Sequence, residues 1–105
     1  MNICMVEGTT SPAHNFTLED GTGAPVVIGG GTVTLRLSGL DNAYEAAREM
    51  VILDGDTGQV QYVPIAADTA APGLYRLDFM VTYDDGSPEV FPVSDPIWME
   101  VRARP

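Results

Sequence analysis

The chain has 105 residues, which suits one domain with one buried core. Fifteen Asp and Glu stand against five Arg with no Lys, and the net charge of -10 disfavours nucleic acid and anionic lipid as direct partners. Apolar residues make up 45% of the chain, which argues against disorder, and no apolar run approaches the ~20 residues of a membrane-spanning helix.

In chain order, Asn2 to Glu7 can form a short strand, with Ile3 and Met5 on one face and Cys4 and Val6 on the other. Residues 1–12 could equally serve as an extended N-terminal arm. No basic region precedes the apolar residues, and Glu7 follows them, so the stretch is not a secretory signal. Cys4 is the only cysteine, which rules out an internal disulfide and leans toward assembly in a reducing cytoplasm. Its expected role is that of a small buried apolar side chain. Gly8 to Pro12 has loop composition. Asn15 to Glu19 alternates so that Phe16 and Leu18 point inward, and Asp20-Gly21 turns the chain.

Val26-Val27-Ile28 lies between Pro25 and the flexible run Gly29-Gly30-Gly31. A phosphate-cradling loop would need a helix next, but Thr32 to Ser38 alternates with β-branched residues and reads as a strand. Leu40 to Glu49 tolerates helix but is short and weakly patterned, so a loop with at most one helical turn is expected. Glu49 to Asp54 forms a strand with Met50 and Ile52 on one face. Asp54-Gly55-Asp56-Thr57-Gly58 has oxygen ligands at alternate positions, as a calcium loop does. The twelfth position, where a bidentate acid is required, is Ile65. A hairpin turn with Gly58 in the left-handed region is expected instead.

Gln59 to Pro64 is a strand with Val60 and Tyr62 on one face, and 66–73 is a small-residue link ending in a Pro-Gly turn. The strongest strand follows, with Tyr75, Leu77, Phe79, Val81 and Tyr83 on the core face and Arg76, Asp78 and Thr82 opposite. Asp84-Asp85-Gly86 turns again, and 88–93 is a partner strand whose two prolines suit an edge. Ile97 to Arg102 alternates once more, with Ile97, Met99 and Val101 inward and Trp98 outward. The pattern predicts an all-β antiparallel β-sandwich of seven to eight short strands, one domain over 1–105.

Catalytic chemistry is not legible. His14 is the only histidine and has no nucleophile near it in sequence, and Cys4 with His14 lacks zinc-site spacing. The acids concentrate at turns, where turn geometry explains them. The chain reads as a non-enzyme, with no cofactor and no metal.

One wider pattern remains. Gly58-x-Val60-x-Tyr62, Asp68-Thr69-x-x-Pro72-Gly73-x-Tyr75-x-x-x-Phe79-x-Val81-Thr82-Tyr83-x-Asp85-Gly86 and Phe91-Pro92, together with Leu18-x-Asp20-Gly21 and Thr32-Val33-Thr34-Leu35-Arg36, resemble the N-terminal domain of the tailed-phage baseplate upper protein family and its short phage relatives. The resemblance covers residues 16 to 101. It implies an immunoglobulin-like sandwich used as a mounting module in the virion, assembled in the host cytoplasm, with other capsid, tail or baseplate proteins and copies of itself as partners. The family's helical and receptor-proximal region has no counterpart before Pro105, so a stand-alone accessory subunit is expected. Candidate contacts are Met1, Ile3 and Met5 on the N-terminal arm, Gly30 in the glycine run, and Trp98, Arg102 and Arg104, since Trp and Arg are typical interface anchors. Trp98 has a second reading, closing one end of the core. The alternative function is an immunoglobulin-like adhesion or glycan-binding surface module.

Overall fold

The computed structural model describes residues 2–10, 12–91 and 97–104. It is an all-β sandwich. Its strands are β1 (Asn2–Val6), β2 (His14–Thr17), β3 (Thr32–Gly39), β4 (Glu45–Glu49), β5 (Val51–Asp54), β6 (Gln59–Tyr62), β7 (Gly73–Thr82), β8 (Pro88–Phe91) and β9 (Ile97–Arg102), with a short 3-10 helix at Ala66–Thr69. The larger sheet has six strands in the order β1-β9-β7-β3-β4, and β8 also pairs with β7. On one side of β7, β9 runs along Gly73–Leu77 and β8 along Phe79–Thr82. The smaller sheet has the order β2-β6-β5.

Three expectations need correction. The sandwich is not purely antiparallel, because β1 pairs with β9 in parallel, Asn2 opposite Trp98 through Val6 opposite Arg102. The described residues contain nine strands rather than seven or eight. The window Leu40 to Glu49 contains a strand, β4, antiparallel to β3 from Ser38↔Glu45 to Thr34↔Glu49. Its Ala-rich sequence is helix-tolerant, but the open edge of β3 offers a ladder of backbone partners, and tertiary context overrides weak local preference. Beyond β4 the chain passes through Met50, whose N–H donates to Val33 O at 2.8 Å, and enters the smaller sheet as β5. One run of chain thus serves both sheets. The N-terminal residues 2–6 are built into the larger sheet. The expected continuation of β8 to Val93 lies outside the described residues.

The alternating strands place their apolar residues as expected. Val33, Leu35 and Leu37 of β3, Tyr75, Leu77, Phe79 and Val81 of β7, and Met99 and Val101 of β9 are buried against Phe16, Val60 and Tyr62 of the smaller sheet. The rings of Phe16 and Phe79 meet between the layers at 5.0 Å. Cys4 is exposed, not buried, because the inward face of β1 is taken by Ile3 and Met5.

The link 66–73 holds a feature that its small residues conceal. The Ala66–Thr69 helix carries Asp68 and Thr69 fully buried. Asp68 Oδ1 accepts from Tyr44 Oη at 2.9 Å and Arg48 Nη2 at 3.0 Å, and Asp68 Oδ2 accepts from Tyr62 Oη at 2.7 Å. Arg48 belongs to β4 and Tyr62 to β6, so one carboxylate ties the two sheets together. Burial first, and then the bond to Asp68, push both phenols up from their ordinary pKa, which keeps them protonated as donors. Asp68→Ala leaves the buried Tyr62 hydroxyl without its acceptor and removes the counter-charge of Arg48, which keeps Ala47 O and Tyr44 Oη, and is expected to cost about 2–4 kcal/mol in urea unfolding, against about 1–3 kcal/mol for Tyr62→Phe.

The Asp54–Gly58 segment is a hairpin turn, with Gly58 at φ 69°. A Cβ there would lie 2.8 Å from both Leu18 O and Val26 O. Gly58→Ala therefore meets both backbone strain and a clash, and a loss of more than about 1 kcal/mol is expected from thermal or chemical melts.

Candidate docking surface

Because side chains alternate across the pleat, the register of the larger sheet fixes what its outer face carries. Thr34, Arg36 and Ser38 of β3 lie beside Ala47, Glu45 and Glu49 of β4 on one side, and beside Arg76, Asp78 and Met80 of β7 on the other. Trp98, Glu100 and Arg102 of β9 follow, then Asn2, Cys4 and Val6 of β1. Three arginines thus face outward with four acids, so this face is close to neutral in a chain of net charge -10.

Two hollows mark the face. One, of about 300 Å³, lies where Ala47 leaves space, bounded by Arg36, Thr34, Asp78, Met80 and Val90. Met80 and Val90 are a cross-strand pair, exposed at 41% and 58%. The other, of about 160 Å³, lies between Trp98, Leu74, Asn2 and Glu100. Arg76 pairs with Asp78 at 3.4 Å, and Arg102 Nε donates to Glu100 at 3.0 Å. Among the described residues Arg36 has no ion pair and no side-chain hydrogen bond, so its charge is available to an incoming acceptor. The outer face of the smaller sheet carries Asn15, Thr17, Val51, Gln59 and Gln61, with Asp54 opposite Gln59 as its one charge among these paired positions.

The sequence-derived contacts are dispersed. Met1 lies outside the described residues. Ile3 is half-buried and faces inward, and Met5 is 3% exposed and belongs to the core, so it offers no contact on the monomer surface. Gly30 is at an exposed turn, close enough to Asp84 that a Cβ would lie 2.8 Å from its Oδ1. Trp98 is half-buried on the outer face, between Asn2 and Arg76 in register. Arg102 is exposed beside it. Arg104 is engaged with the chain itself, its Nη2 donating to Glu7 O at 3.0 Å. Of the seven, Trp98 and Arg102 share the outer face. The sequence reading missed Arg36, Ala47, Met80 and Val90, which no local pattern brings together and only the β4-β3-β7-β8 register does.

No group of three or more His, Cys, Asp or Glu that could hold a metal ion exists among the described residues. His14 Nε2 lies 3.0 Å from Met5 Sδ, with its ring stacked toward Tyr62 at 6.5 Å, so the histidine packs the start of β2 under β1. No protein-family model matches the chain, and no curated protein matches it.

Burial lowers the His14 pKa from its ordinary 6.5. The folded chain therefore takes up this proton at lower pH than the unfolded chain does. The resulting stability is present above about pH 6.5 and is lost as pH falls toward and through the folded value. Wild type is expected to lose more melting temperature than His14→Gln between pH 7.5 and 5.5.

Proposed function

We propose that the chain is a structural module of a tailed-phage particle, an immunoglobulin-like sandwich that mounts on neighbouring particle subunits through the outer face of its larger sheet. The observation that carries this reading is the composition of that face. Exposed Met80 and Val90, half-buried Trp98, Arg36 with no ion pair among the described residues, and two hollows sit together on near-neutral ground, while the rest of the chain carries most of its negative charge. Apolar and aromatic side chains with arginine, ringed by polar residues, are the chemistry of protein–protein contact rather than of turnover. The charge supports protein partners over nucleic acid or lipid. The motif layout of Gly58 to Phe91 supports the phage context, with a location in the virion and assembly in the host cytoplasm.

A glycan-binding surface module is the second reading. Half-buried Trp98 beside its 160 Å³ hollow favours it, since an aromatic side chain with the polar groups of Asn2 and Glu100 next to it suits a sugar ring. Gradient-purified particles, quantified by mass spectrometry, are expected to contain the chain in many copies. The double variant Arg36→Gln, Met80→Thr, which adds no acid opposite Asp78, is expected to fall at least about tenfold in incorporation while staying folded by circular dichroism, since a lost anchor is worth more than about 1.4 kcal/mol. Particles without the chain, together with a glycan-array signal that Trp98→Ala abolishes, would favour the second reading.

A further inference from the structure

The two sides of the sandwich are unlike. On one side the edges of the larger and smaller sheets, β4 and β5, are consecutive stretches of one chain joined at Met50. β4 carries Glu45, Arg48 and Glu49, and β5 shifts register between Ile52 and Asp54. Charges and bulges of this kind discourage a further strand from adding. On the other side the edges are β1, the short β8 with its Pro88 and Glu89, and β2, and His14 against Met5 sets β2 over β1. Neither Asn2-Ile3-Cys4-Met5-Val6 nor His14-Asn15-Phe16-Thr17 contains Asp, Glu, Lys, Arg or Pro. In a chain with fifteen acids, this edge lacks the usual protection.

We infer that β1 is a self-pairing edge, which joins two copies of the chain into one continuous twelve-stranded sheet across a two-fold axis at Cys4. The inference rests on the assembly reading above and names its first partner, a second copy. Glu7 N–H donates to Arg102 O, so Glu7, Met5 and Ile3 direct their backbone groups toward β9. The alternation of the strand then directs the N–H and C=O of Cys4 to the open edge. Antiparallel pairing centred on Cys4 is the register that engages all five residues of β1. It sets Ile3 opposite the partner's Met5 on the inner face, so the two cores become continuous and Ile3, now half-buried, is covered. On the outer face it sets Asn2 opposite the partner's Val6 and Cys4 opposite the partner's Cys4. No acid meets an acid, which is the condition for two molecules of net charge -10 to approach. At β4 the same operation would bring glutamates together.

Cys4 supplies the reporter. A hydrogen-bonded antiparallel pair holds its Cα atoms about 5.5 Å apart, within the range that a disulfide spans. The purified chain at about 100 µM, a concentration that populates even a micromolar dimer, is expected to show twice its 11.2 kDa by light scattering. Diamide should then give a covalent dimer with a Cys4–Cys4 peptide, two thiols becoming one disulfide while the diamide N=N bond takes up two electrons and two protons. Cys4→Ser is expected to keep the dimer without the covalent bond. Cys4→Glu, an exposed position whose change leaves circular dichroism unaltered, is expected to weaken dimerisation at least about tenfold by placing like charges face to face. Val51→Glu on β5 is expected to dimerise normally. A monomeric wild type, a dimer indifferent to Cys4→Glu, or a dimer lost in Val51→Glu overturns the inference. A monomer that still enters particles in many copies separates its failure from that of the assembly reading.

Discussion

A single buried carboxylate holds one end of this sandwich together. Burying an ionised carboxylate is tolerated only where hydrogen bonds and a counter-charge replace its hydration. Asp68 meets that demand with donors from three places in the sequence: Tyr44 just before β4, Arg48 within it, and Tyr62 at the end of β6. Thr69, its neighbour, extends the tie, since its Oγ1 donates to Thr9 O at 2.8 Å and its carbonyl accepts from Gly8 N. Tyr75 closes the same end, donating to Ala71 O at 2.6 Å and accepting from Asn42 Nδ2. The hydrophobic drive that brings the two sheets together is itself non-directional. Three donors converging on one side chain select one relative placement, and so fix the positions of β4 and, through Met50, of β5.

That placement matters for the docking surface. The larger hollow exists because Ala47 stands beside Arg36 in register, and Ala47 is one residue from Arg48, whose guanidinium is held by Asp68. The outer face and the inner clamp are therefore two sides of the same strand. Arg48 points in to anchor, and Ala47 points out to leave room. A change at Asp68 is thus a change in the outer surface as well as in stability.

Much of the sandwich was legible from alternation. Phe16, Leu18, Val60, Tyr62 and the β7 stripe all lie inside as the period of two requires, and Gly58 and Gly86 take the positive φ expected of turns. What failed to show had physical causes. β4 is Glu-Ala-Ala-Arg-Glu, a helix-tolerant sequence made into a strand by the neighbouring edge of β3. Cys4 is apolar enough for either face, and only the pairing of β1 shows that its face is the outer one. Asp68 stood among alanines in a stretch with no periodicity, and its partners lie 6, 20 and 24 residues away. The candidate surface was the least legible part. Trp98 and Arg102 are visible as unusual residues, but the grouping of Arg36, Ala47, Met80 and Val90 is a product of register, which a one-dimensional pattern does not encode.

The parallel pairing of β1 with β9 has a consequence for how the protein is made. Residues 2–6 leave the ribosome first among the strands, yet their partner is 97–102. Until synthesis reaches β9, β1 has no ladder to join and β7 is paired along β3 but bare beside Gly73–Leu77. Contacts this distant in sequence form slowly and leave nascent edges open to wrong partners in the meantime. A chaperone that shelters the early strands during translation would therefore raise the yield of native protein more than one supplied after release.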